Sequence, residues 1–124
     1  MRLAVLPAMN EPAFDIGGYP TDKTLRAIRE WPYTDFPALM QFVSSAWKWG
    51  GLKQMPSIIE PLFDETYEDD GYWWCGATGG WSGNESLVSA LLNNQMFYIF
   101  NWSASVRGGY YEFHVPPLGV SNDE

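Results

Sequence analysis

Nucleophilic catalysis needs a thiol or hydroxyl beside a base, and this chain has one cysteine, Cys75, and one histidine, His114. Cys75 sits in the aromatic run Tyr72-Trp73-Trp74-Cys75, where a thiol is expected to behave as a small buried hydrophobe. A Cys75–His114 couple requires the strands that carry the two residues to be neighbours. A metal site built from His114, Glu112 and nearby carboxylates lacks the two or three spaced ligands that define one. No catalytic set, metal or cofactor is expected, and the chain reads as a protein other than an enzyme.

Two other passages could bind. The first is Cys75-Gly-Ala-Thr-Gly-Gly-Trp-Ser-Gly-Asn-Glu-Ser-Leu87, a glycine-rich loop entering a helix. Such a loop can turn backbone N–H groups and the positive end of the helix dipole toward an anion. Thr78, Gly79, Gly80 and Ser82 would line that site, with Arg107 as an anion clamp. The passage lacks the lysine and the spacing of a P-loop, and its glycines do not follow G-x-G-x-x-G. Glu85 would compete with an incoming anion. The structural alternative is a tight turn that lets Trp81 pack.

The second passage is acidic: Asp64, Glu65, Glu68, Asp69 and Asp70 lie beside Tyr67, Tyr72, Trp73 and Trp74. Carboxylates steer a basic partner and rings supply anchors, so Asp64, Glu65, Tyr67, Glu68, Asp69, Asp70, Tyr72 and Trp73 form a candidate contact surface. The alternative is a solvated loop beside a core strand.

Composition narrows the classes. The 124 residues suit one domain, and the hydrophobic fraction of 46% is far above that of a disordered chain. Seven Lys and Arg against fifteen Asp and Glu give a net charge of −8, which argues against direct binding to a nucleic-acid backbone. One cysteine excludes an internal disulfide, in keeping with a reducing cytoplasm. The start, Met1 to Pro12, has no basic region leading into a long apolar run, and no window reaches the roughly 18–20 apolar residues of a membrane span. Neither secretion by such a signal nor a membrane location is expected.

The elements follow from punctuation and periodicity. Residues 1–20, with three prolines and Gly17-Gly18, read as an ordered arm with a short strand at Leu3–Leu6. Residues 21–50 read as a helical pair. Thr21 caps a helix from Asp22 to about Trp31, with Leu25 and Ile28 on one face; Asp35 caps a second that carries Phe36, Leu39, Met40, Val43, Ala46 and Trp47 and stops at Gly50-Gly51. Ser57–Phe63 fits a strand or a helix. Residues 72–115 read as strand–helix–strand–strand: a strand at Tyr72–Ala77, a helix opened by a Ser82/Glu85 capping box and closed near Asn93, an alternating strand at Gln95–Ser103, and a strand at Tyr110–Val115 after Gly108-Gly109. The sum is one α+β domain, an antiparallel or mixed sheet with helices packed on one face.

Thr78-Gly-Gly-Trp-Ser-Gly-Asn-Glu85, followed by Arg107-Gly-Gly-Tyr-Tyr-Glu-Phe113, resembles small uncharacterised phage and prophage proteins over about a third of the chain. The resemblance implies a phage context, in which compact acidic proteins act as inhibitors of host defence, anti-CRISPR proteins among them. The expected partner is then a host protein or ribonucleoprotein complex with a basic surface, met in the host cytoplasm in competition with nucleic acid. Two alternatives stand beside it: a small anion-binding domain using Thr78–Ser82, and a phage structural or assembly protein forming a symmetric oligomer.

Overall fold

The computed structural model describes residues 9–48, 52–54, 73–101, 103–106 and 109–115. Helix α1 (Asp22–Arg29) starts where Thr21 accepts a hydrogen bond from the Thr24 N–H at 3.1 Å. A 3-10 turn, Tyr33–Asp35, leads into α2 (Phe36–Ala46), whose first turn tolerates Pro37 and is capped by Asp35 Oδ1, 3.1 Å from the Ala38 nitrogen. Both caps stand where the sequence places them. Each helix ends a little early, and Trp31 and Trp47 follow as buried residues just outside.

Strands β1 (Lys53–Gln54), β2 (Trp73–Ala77), β3 (Ser103–Val106) and β4 (Tyr110–His114) form an antiparallel sheet in the order β1-β2-β4-β3. Helices α3 (Ser82–Leu92) and α4 (Gln95–Phe100) fill the connection from β2 to β3. The architecture is α+β. Trp74 of β2 pairs with Phe113 of β4, and both join Ile28, Leu39, Val43, Leu87, Leu91 and Phe97 in one apolar core. Side chains alternate across a strand, so the helices pack on the Trp74/Phe113 face.

Two expectations give way here. The Gln95–Ser103 strand is replaced by the six-residue helix α4 and a strand that begins only at Ser103. Alternation would put Phe97 and Ile99 on one face, yet Phe97 is fully buried and Ile99 is exposed, the separation expected two positions apart on a helix. Asn94 accounts for the change. Its Oδ1 accepts from the Phe97 N–H at 3.0 Å and caps α4, while its Nδ2 donates to Ile28 O at 2.9 Å and Trp31 O at 3.1 Å. A single amide thus satisfies the end of α1 and the start of α4 together. Tertiary demand overrides the strand preference of Phe-Tyr-Ile-Phe.

The capping box fails as well. Ser82 is the first helical residue of α3, and Trp81, extended at φ −85° and ψ 125°, occupies the cap position without a side-chain bond. The Leu3–Leu6 and Ser57–Phe63 segments and the Gly50-Gly51 stop lie outside the described residues.

Candidate functional site

On the sheet face away from the helices, β2 and β4 bring together the residues with nucleophilic and acid–base chemistry. The strands are neighbours, as a Cys75–His114 couple requires, but the register pairs Cys75 with Glu112 and Trp73 with His114. The His114 ring lies 4.8 Å from that of Trp73, centroid to centroid. Glu112 is completely buried, and its Oε2 accepts the Tyr110 hydroxyl at 2.7 Å. Burial first, then the bonds to Glu112 and Cys75, hold the Tyr110 phenol protonated well above the ordinary tyrosine range. A thiol that faces a carboxylate and a neutral phenol is in the reverse of the electropositive setting that activates cysteines. This arrangement reads as a satisfied polar layer within the sheet.

The glycine loop closes on itself. Trp81 N–H donates to Thr78 O at 3.1 Å, and Gly79 and Gly80 take φ of 66° and 77°, the signs of a type I′ turn. Thr78 is buried, its N–H donating to Gly109 O at 2.9 Å, so the loop is tied to the β3–β4 turn. Asn84, fully buried in α3, ties it to the chain just past α2: its Nδ2 donates to Thr78 O at 3.1 Å and Lys48 O at 2.9 Å, and its Oδ1 accepts from Lys48 N–H at 3.0 Å. The Trp81 ring lies over Gly83, where any Cβ would collide with it. Ground beside the N-terminus of α3 is therefore taken by indole, which removes much of the basis for an anion there. Ser82 and the two glycines are exposed, and Arg107 lies outside the described residues.

The Trp81 ring continues outward to an element that sequence reasoning passed over. Tyr19 stacks on it at 5.2 Å and 25°, and Lys48 Nζ sits 4.8 Å from its centroid. Tyr19 belongs to a small hairpin. Asp15 N–H donates to Tyr19 O at 2.8 Å and Thr21 N–H to Ala13 O at 3.0 Å, bracketing a Phe14–Pro20 bridge. At the tip, Gly18 N–H donates to Asp15 O at 3.0 Å, and Gly18 takes φ 85°, the three-residue loop in which a left-handed residue follows a tight turn. Asp15 Oδ1 also accepts from the N–H groups of Gly17 at 2.9 Å and Tyr19 at 3.0 Å. The base is fixed by Thr24, whose Oγ1 accepts from Ala13 N–H at 2.8 Å and donates to Ala13 O at 2.9 Å.

This braced hairpin carries three of the large apolar side chains exposed among the described residues. Phe14 is 42% exposed, Tyr19 41%, and Ile16, at the tip, is fully in solvent at 108%. The signal was present in Asp15-Ile-Gly-Gly-Tyr19: an Asp two residues before a glycine is the mark of a side-chain-closed turn.

Of the expected contact surface, Asp64, Glu65, Tyr67, Glu68, Asp69, Asp70 and Tyr72 lie outside the described residues. Trp73 is 3% exposed and Trp74 6%, so neither ring offers surface to a partner. A groove of about 450 Å³ between Met9-Asn10 and α2 is walled by Trp31, Asp35, Gln41 and Phe42. Its carboxylate, Asp35, is already engaged as the cap of α2. Among the described residues no cluster of three or more His, Cys, Asp or Glu could hold a metal, and no helix is long and apolar enough to cross a membrane. Comparison with family models, curated proteins and solved structures finds no match.

Proposed function

We propose that the chain is a stoichiometric inhibitor of a bacterial defence complex, of the phage-encoded, anti-CRISPR kind, which binds a basic protein surface and competes there with nucleic acid. The observation that carries the binding half of this reading is the braced Ala13–Thr21 hairpin, which holds Ile16, Phe14 and Tyr19 out in water. Exposed apolar groups on a rigid support are what a contact surface needs, because little conformational entropy remains to be lost on docking. The net charge of −8 supports the choice of partner, since it would speed encounter with a surface that normally receives phosphates. The phage resemblance of Thr78–Glu85 and Arg107–Phe113 supplies the context.

The test is to immobilise the full chain and pass over it an extract of a bacterium with an intact CRISPR-Cas system, then a matched extract with that system deleted. Retention of a Cas protein or complex from the first, weakening as salt rises, is expected. Indifference to the deletion, with no nucleic-acid-handling protein retained, would sink the reading.

A further inference from the structure

We infer that Ile16 is the anchor of the partner interface and inserts into an apolar pocket set within the partner's basic surface. The inference rests on the inhibitor reading and names the residue and the pocket chemistry that it leaves open.

A fully exposed isoleucine at a hairpin tip adds nothing to the core formed by the described residues. Turn tips favour Asn, Asp, Ser, Pro or Gly, each for a local backbone reason, and a β-branched apolar side chain supplies none of them. The rest of the tip is built to hold it still. The Asp15 carboxylate accepts two backbone N–H groups, Gly18 supplies the left-handed residue, and Tyr19 is clamped against Trp81. Lys48 lies close beneath, its Nζ within 2.7 Å of where a Cβ on Gly18 would stand. An apolar group with a polar collar on a rigid support is the geometry of an interface hot spot.

Charge selects among the surfaces that could accept it. A chain of net charge −8 is repelled by anionic bilayers and by its own copies, whereas a basic protein surface attracts it. The pocket must suit a four-carbon branched side chain and be free of unpaired polar groups, since those would lose water without gaining a partner.

The experiment uses the protein captured above, purified, and measures its affinity for the full chain by calorimetry at two salt concentrations. Ile16→Ser keeps the charge and should weaken binding about 10- to 100-fold, the range expected when a buried isoleucine is lost. Ile16→Val removes one methylene and should weaken it about fourfold. Neither should alter the salt dependence, and because Ile16 is fully exposed, both should unfold in urea as the parent does. If the parent chain retains no Cas protein, the inhibitor reading fails and the anchor with it. If the partner binds the parent and Ile16→Ser equally well, the inhibitor reading stands and the anchor is wrong. The anchor is also wrong if Ile16→Ser instead abolishes dimerisation of the chain in sedimentation, or its co-pelleting with phosphatidylglycerol or phosphatidylcholine vesicles.

Discussion

Ile16-Gly-Gly-Tyr19 and Thr78-Gly-Gly-Trp81 share one pattern, a variable residue, two glycines and a ring, and the two rings end up stacked on each other. In both, a side chain at the start of the turn reaches a backbone N–H two residues on: Asp15 to Gly17 at 2.9 Å, and the Thr78 hydroxyl to Gly80 at 3.5 Å. The second glycine is left-handed in each, Gly18 at 85° and Gly80 at 77°. Their variable residues go opposite ways. Thr78 turns inward and is buried against Gly109 and Asn84, whereas Ile16 turns wholly outward. The difference lies in where the hydrogen bonds lead. The Thr78 turn is bonded to α3 and to the β3–β4 turn, so it serves the core. Among the described residues, and apart from its base at Thr24, the Asp15 turn is hydrogen-bonded to itself, which leaves Ile16 turned to solvent.

The largest effect that would break this contrast is at Asn84. Asn84→Ala removes the three hydrogen bonds of a fully buried amide and leaves the Thr78 carbonyl with the Trp81 N–H alone, so a loss of about 3 kcal/mol is expected in urea denaturation. A loss under about 0.5 kcal/mol, the scale of a surface substitution, would mean that the Thr78 turn does not depend on the core as described. Next is Gly109→Ala. Gly109 has φ 86° and a Cβ there would strike the Thr78 hydroxyl, so strain and collision together should cost about 2 kcal/mol.

Smaller, and sharper as a comparison, is the pair Gly18→Ala and Gly80→Ala. Both force a left-handed alanine, at about 1–2 kcal/mol each. A Cβ on Gly80 meets nothing within 4 Å, but one on Gly18 displaces Lys48 from Trp81. Gly18→Ala should therefore cost more, by about 0.5 kcal/mol, the worth of an exposed cation–π contact. The reverse order in thermal melts would show that Lys48 adds nothing to the joint between the turns.

Much of the scaffold could be read without coordinates, for local reasons. Thr21 and Asp35 cap their own helices from three residues away, and the spacing of Leu39, Met40, Val43 and Ala46 shows which side of α2 faces inward. What escaped depends on distant groups. The α4 segment looked like a strand because Phe-Tyr-Ile-Phe has strand-forming side chains, and Asn94, which caps the helix at Phe97, is held at that post by its bonds to Ile28 and Trp31. Trp73 looked like surface because carboxylates precede it in sequence, but its neighbour in space is His114. Ser82 and Glu85 matched a capping box, yet the position of the Trp81 ring over Gly83 starts the helix a residue sooner. Ile16 was overlooked for the opposite reason: its turn is local and legible, and only its exposure, a property of the whole fold, marks it.

The smallest expected change in stability concerns Asp15 and separates holding the tip from holding the fold. Asp15→Ala removes two hydrogen bonds at an exposed site, where water can replace the carboxylate, so the cost in urea should be no more than about 1 kcal/mol. The hairpin base at Thr24 and the Tyr19–Trp81 stack remain. Amide exchange at Gly17 and Tyr19 should nevertheless quicken, because their N–H groups lose the acceptor that orders them. Asp15→Asn keeps an acceptor oxygen and should restore most of the protection, which separates geometry from charge. Equal exchange in the parent and in Asp15→Ala would mean that the tip owes its shape to Gly18 alone, and Ile16 would then be held no more firmly than any other exposed side chain.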